Sequence, residues 1–268
     1  MRLLIMIGVV YAMFVLGVTV MQRKLLYFPT LLTPDAAGQM AVREGFLPWR
    51  NQAGQIIGWQ LAAAGTPVGS VLILHGNAGC ALDRDYLAQP IHAAAPVDVF
   101  ILEYPGYGAR DGSPTQQSLL EAADDAFASL TNPAPIYLVS ESIGTGIAAH
   151  LAGTHPGRVS GLALFAPYDD LAAVAQHKMP LLPARLVLKD RYQPARRLKD
   201  YHGPMAVVLA GADEVIPTKF GQRLYDGYAG PKTIQVIAGA HHNDIAEQSP
   251  EWWKRVFAFW AHHAGKSC

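Results

Sequence analysis

Ile136-Tyr137-Leu138-Val139-Ser140-Glu141-Ser142-Ile143-Gly144 is the stretch whose reading decides the fold. Four apolar or aromatic residues run into a serine-rich turn, and a helical pattern over 143–153 follows at once. A short apolar run of this kind suits a parallel strand buried on both faces. A serine presented on a sharp strand-to-helix turn needs small residues two places before and two places after it, because larger side chains would clash. Ser142 has Ser140 and Gly144 at those places; Ser140 would have Leu138 and Ser142, which fits worse. Ser142 is therefore the expected nucleophile. The plainer alternative is a turn whose serine only caps a helix, since serine is a favoured N-cap.

The same rhythm extends in both directions. Gly45–Trp49 and Ile56–Leu61 read as a strand pair around the turn at 51–54. Ser70–Leu74, Val97–Leu102, Val159–Phe165, Met205–Leu209 and Thr233–Ile237 are further strand candidates. Helical patterns fill about 81–93, 116–130, 218–228 and 250–263, the last with Trp253, Val256, Phe257 and Trp260 at i, i+3, i+4, i+7. Alternating units of this sort give an α/β domain with a mostly parallel sheet and helices on both faces. The proline-containing and basic stretch 168–202 is long for a plain connection and reads as a small helical cap inserted over the carboxyl edge of the sheet.

Three loops after strand candidates carry chemistry. His75-Gly76-Asn77-Ala78-Gly79 follows SVLIL and can present backbone N–H groups to a developing oxyanion; Asn77 and Ile143 are the expected donors. His75 reads as a structural post and Cys80 as a small residue at a helix start. Gly211-Ala212-Asp213 follows MAVVL and puts a carboxylate beyond a late strand, where helix capping is the bland alternative and Asp169 and Asp170 are rival acids. Gly239-Ala240-His241-His242-Asn243-Asp244 follows the last strand, and either histidine could be the base that a serine hydroxyl needs. No ligand pattern accompanies the pair, so no metal is expected. His262 and His263 read as surface residues of the final helix.

The 268 residues suit one α/β domain, and a formal net charge of zero builds no basic field for nucleic acid. Two cysteines, Cys80 and Cys268, form no disulfide framework or metal motif, and Cys268 is no prenylation signal. Leu3–Met21 contains no charge. Nineteen helical residues span about 28 Å, close to a bilayer core of about 30 Å. The run exceeds a signal-peptide core and no A-x-A-like site follows, so residues 1–21 are expected to be an uncleaved, single-pass membrane anchor. Arg2 on one side and Arg23 and Lys24 on the other leave no preferred orientation. Leu25, Leu26, Tyr27 and Phe28 read as an interfacial segment with rings at the headgroups.

Taken in order, HGNAG (75–79), YPGYG (104–108) with Gly112, Ser113 and Pro114, SESIG (140–144), KMPLLPARLVLKDRY (178–192), DEVIP (213–217) and HHND (241–244) make residues 22–264 resemble the membrane-anchored α/β-hydrolase-domain-containing proteins, a subgroup of the serine hydrolases. The resemblance implies an α/β-hydrolase domain over 22–268. It carries the nucleophile onto Ser142, the late acid onto Asp213, and the base onto His242, which directly precedes Asn-Asp. Ser140 stands where the family usually has glycine, and YPGYG is expected to form a structural loop near the rim of the site. The implied activity is hydrolysis of an ester or thioester of a small-molecule or lipid-like acyl substrate, without metal or organic cofactor. A peptidase of the same fold, with Glu141 or a cap carboxylate holding a free amine, and a non-catalytic membrane-tethered scaffold are the alternatives.

Overall fold

The structure is a computed structural model, and it describes residues 1–131 and 134–263. In chain order the regular elements are α1 (Arg2–Leu26), β1 (Phe28–Pro29), α2 (Pro34–Glu44), β2 (Leu47–Arg50), β3 (Ile56–Leu61), β4 (Ser70–Leu74), β5 (Ala78–Gly79), α3 (Asp85–Ala94), β6 (Asp98–Leu102), α4 (Gln116–Ser129), β7 (Ile136–Glu141), α5 (Gly144–Thr154), β8 (Val159–Phe165), α6 (Leu171–Lys178), α7 (Ala184–Val187), α8 (Pro194–Arg197), β9 (Met205–Ala210), α9 (Thr218–Gly227), β10 (Lys232–Ile237) and α10 (Pro250–His263). Eight strands form the main sheet in the order β10-β9-β8-β7-β4-β6-β3-β2. All are parallel except β3, which runs antiparallel to both β2 and β6.

The apolar runs become strands because both sheet faces are covered. In β4, Leu72 and Leu74 join the core on one face, while Val71 and Ile73 join the core on the other. Burying each such side chain contributes about 2 kcal/mol. On the second face α10 docks against β8, where Trp260 donates its indole N–H to the Leu162 carbonyl at 3.2 Å. Gly161 makes this approach possible, since a Cβ there would lie 2.6 Å from the Trp260 ring.

Strand β7 runs two residues further than its apolar stretch, through Ser140 and Glu141, so Ser142 is the first residue beyond the sheet. Helix α2 adds to the expected elements. Thr33 accepts a hydrogen bond from the Ala36 N–H, Pro34 opens the helix, and Gly45 closes it in the left-handed conformation.

The stretch 168–202 folds into α6, α7, α8 and their turns, as its composition suggests. It meets α1. The Tyr11 hydroxyl donates to the Leu181 carbonyl at 2.9 Å, Lys189 N–H donates to Gln22 Oε1 at 2.6 Å, and Arg23 pairs with Asp190 at 3.3 Å. Helix α1 is long and apolar enough to cross a membrane, with a mean hydropathy of 2.6 over 18 residues; a signal sequence meets the same description. Tyr27 departs from expectation. Its ring is buried, only 4% exposed, and its hydroxyl reaches Asp190 and Tyr192 at 3.2 and 3.1 Å, so it belongs to the domain core and not to a headgroup layer. Two hydrogen-bonding partners inside the domain outweigh the interfacial preference of an exposed tyrosine.

Candidate active site

Four loops, at the carboxyl ends of β4, β7, β8 and β10, line one cavity of about 360 Å³. Ser142 and His242 both line it, with Gly76, Asn77, Arg84, Tyr86 and Glu141 supplying polar groups and Phe165, Ala166, Ile245 and Ala246 apolar ones. Among the described residues, 168–202 contributes none of the lining.

Ser142 holds φ at +51°, in the left-handed region that few residues other than glycine adopt. Its N–H donates to the Phe165 carbonyl at 2.9 Å, and its carbonyl accepts from the Thr145 N–H at 3.0 Å. The backbone is thus pinned on both sides of the strained residue, which is how such strain persists at functional sites. Gly144 is required by the turn: a Cβ would overlap the Leu74 carbonyl oxygen and lie 2.6 Å from that of His75. The Ser142 side chain does not cap α5, whose N-cap position is Ile143 and which has no side-chain cap. Ser140 lies within β7, paired with Leu74 and Leu164, fully buried and with its hydroxyl unpartnered among the described residues.

Of the two histidines, His242 is the one brought to Asp213. Its Nδ1 lies 2.8 and 3.0 Å from the two carboxylate oxygens. The pair is well shielded, with side-chain exposures of 10% for His242 and 2% for Asp213. Asp213 is itself oriented, because its Oδ1 accepts the N–H groups of Val215 and Ile216 at 2.8 and 2.7 Å. His241 faces solvent and pairs with Glu214 at 3.0 Å, a hydrogen bond that raises its pKa. The rival acids are engaged elsewhere: Asp169 binds Arg223 at 2.8 and 2.9 Å, and Asp170 caps α6 through the Ala172 N–H.

The two expected oxyanion donors occupy the neighbouring turns. Ile143 stands at the start of α5, where the first N–H groups have no partner inside the helix and the dipole favours negative charge. Asn77 lines the cavity from the loop after β4. That loop is held from below by YPGYG. Tyr104 donates to the His75 carbonyl at 2.9 Å and Tyr107 to the Asn77 carbonyl at 2.8 Å. His75 is fully buried with Nδ1 on the Gly76 carbonyl at 2.8 Å, and burial holds its pKa well below the usual histidine range. A neutral imidazole so placed donates from Nδ1 and serves as a post. Cys80 is buried and forms no disulfide among the described residues, with burial pushing its thiol up to about 12; Cys268 lies outside the described residues.

Arg84, Tyr86 and Glu141 form a polar wall with no motif of its own. The Glu141 carboxylate lies 2.6 Å from Arg84 Nε, accepts the Tyr86 hydroxyl at 2.7 Å and accepts the Gly76 N–H at 3.0 Å. Burial opposes the charge on Arg84, but Glu141, with Tyr86 and Asp83, more than offsets this and holds its pKa above the usual value. Glu141 is therefore already paired with Arg84, and a free amine would compete with that guanidinium for it. Only its place beside Ser142 pointed to it from sequence.

A family model for the alpha/beta hydrolase fold matches residues 69–200. An uncharacterized protein of Mycobacterium tuberculosis is 32% identical over 230 residues, covering 83% of this chain and 81% of its own. The chain belongs to the α/β-hydrolase family. A lysophosphatidylserine lipase of Danio rerio, ABHD12, is 24% identical over 209 residues, covering 69% of this α/β-hydrolase and 54% of its own length. Among solved structures, Est1E of Butyrivibrio proteoclasticus with ferulic acid bound superposes with a TM-score of 0.63 at 16% identity, over 76% of this chain and 95% of its own. That likeness is one of fold.

Proposed function

We propose that this α/β-hydrolase is a serine hydrolase that cleaves a carboxylic ester or thioester of a lipid-like acyl substrate at a membrane surface. The observation that carries the reading is the shielded His242–Asp213 pair opening on the same cavity as Ser142 in its left-handed turn. With Asp213 accepting from Nδ1–H, Nε2 of His242 is free to take the Ser142 proton as Oγ attacks the acyl carbonyl. The N–H groups of Asn77 and Ile143 receive the oxyanion. His242 returns the proton to the leaving alcohol or thiol, and water then releases the acyl group by the same sequence.

Two observations support a membrane setting. Helix α1 has the length and composition of a membrane span. Its last turn is built into the domain through Gln22, which is buried, and Arg23, which pairs with Asp190; removing α1 as a signal would remove these contacts. The name of the Danio rerio relative, a lysophosphatidylserine lipase, favours a lipid-like substrate.

The test is a fluorophosphonate probe applied to the full chain in detergent, beside Ser142→Ala and Ser140→Ala. Labelling of the wild type and Ser140→Ala but not Ser142→Ala is expected. A folded wild type that takes no label moves the reading to a non-catalytic scaffold.

A further inference from the structure

Asn77 is the one expected oxyanion donor that does not sit on a helix, and its position depends on a segment far away in sequence. Its side-chain amide donates to the carbonyl of Leu26 at 2.8 Å. Leu26 is the last residue of α1, and the final carbonyls of a helix have no partner within it. The side chain of the oxyanion residue thus caps the amino-terminal helix. In return the Phe28 N–H donates to the Asn77 carbonyl at 2.8 Å, and the Thr30 N–H to that of Gly79, also at 2.8 Å. These bonds make β1 and β5 a two-stranded parallel sheet of their own, with Phe28 opposite Ala78 and Pro29 opposite Gly79. Beyond it Thr30 accepts from the Gly108 N–H at 2.9 Å, tying the segment to the YPGYG loop.

We infer that the segment Leu26–Thr30, at the end of the amino-terminal helix, is a positioning element of the active site that holds the Asn77 N–H on the oxyanion. The inference rests on the serine hydrolase reading above and names a part of that machinery outside the four loops. The geometry gives Asn at position 77 a reason: its backbone N–H serves the reaction while its side chain grips the helix end. An alanine there would keep the N–H and lose the grip. The clamp is made by backbone groups, so the identity of the Phe28 side chain, which is half-exposed, matters little. A proline at 28 deletes the N–H given to Asn77, and Tyr27 before it is already extended at φ −111° and ψ 127°, as the residue before a proline prefers.

The experiment uses the full chain in detergent micelles, with 4-nitrophenyl ester hydrolysis and inhibition by a trifluoromethyl ketone, a mimic of the tetrahedral state. Phe28→Pro and Asn77→Ala are compared with wild type and with Phe28→Ala, which retains the N–H. A displaced donor loses transition-state binding and leaves ground-state binding in place. Both variants are therefore expected to lose about 10- to 100-fold in kcat with KM within about twofold, and the ketone Ki is expected to rise by the same factor. The loss in Phe28→Pro is expected to exceed that in Phe28→Ala by at least about tenfold, and equal losses in two folded variants would overturn the role of the Phe28 N–H. If thermal unfolding shows that Phe28→Pro does not fold, Asn77→Ala decides. Wild-type kcat and Ki in a folded Asn77→Ala would overturn the inference while leaving the serine hydrolase reading intact. A wild type with no esterase activity and no fluorophosphonate labelling overturns both.

Discussion

Replacing Asp213 by asparagine separates orientation from charge at the His242 pair, and the structure dictates how the amide must sit. Asp213 Oδ1 accepts two backbone N–H groups, from Val215 and Ile216. In Asp213→Asn the amide oxygen has to take that place, because an NH₂ there would face two donors. The NH₂ then occupies the Oδ2 position, 2.8 Å from Nδ1 of His242. A donor at that position forces Nδ1 to accept, so the imidazole carries its proton on Nε2, the atom that must take the proton of Ser142. A charge-assisted hydrogen bond is worth about 1.5–3 kcal/mol, and its loss alone would slow the reaction by about 10- to 150-fold. The inverted tautomer adds to this, for a total of about 10³- to 10⁴-fold, or about 4–5.5 kcal/mol in the barrier. The assay is kcat for a 4-nitrophenyl ester at neutral pH, with thermal unfolding to establish that the variant is folded. A folded Asp213→Asn that keeps kcat within tenfold of wild type would refute the assignment of Asp213 and His242.

Two further outcomes concern stability. Burial pushes the Glu103 carboxyl up to about 8, from the ordinary 4.5. Between those values the folded chain holds a proton that the unfolded chain has released, so this contribution is complete below about pH 4.5 and is lost as pH rises to about 8. The loss is at most about 1.4 kcal/mol per pH unit, and Glu103→Gln should flatten that limb of the urea-midpoint profile; an unchanged slope would reject the assignment. Gly144→Ala places a methyl against the Leu74 and His75 carbonyls and is expected to cost about 3 kcal/mol, whereas Gly157→Ala meets nothing within 4 Å and should leave the melting temperature unchanged. Equal melting temperatures for the two variants would contradict the geometry of the turn.

The parallel sheet was legible because strands buried on both faces appear as short apolar runs, and each reactive loop follows such a run directly. SVLIL leads to HGNAG, IYLV to SESIG, and MAVVL to GADE. Periodicity could not choose between His241 and His242, which differ by one position; the resemblance chose His242, whose Nδ1 lies 2.8 Å from Asp213. The misread element was Tyr27, whose place beside an apolar run suggested a headgroup layer. Its partners Asp190 and Tyr192 lie more than 160 residues away. The Asn77–Leu26 bond was invisible for a related reason, since a backbone carbonyl has no letter in the sequence. Arg84 and Tyr86 sit on the turn into α3 and at its start, and local pattern marks neither as a wall of the cavity.

Helix α1 passes into β1 through Tyr27 alone, and Tyr27 is locked to Asp190 and Tyr192. There is no tether of variable length at this junction. Under the anchor reading, the domain does not roam above the bilayer on a leash; its attitude is set by the helix, and the mouth of the cavity stays at one height. For the lipid-like ester proposed above, such an enzyme would meet molecules that slide to it within the sheet of lipid around it. Its saturation is then governed by the mole fraction of substrate in that surface, a two-dimensional quantity, and the total amount dissolved in the surrounding water becomes secondary.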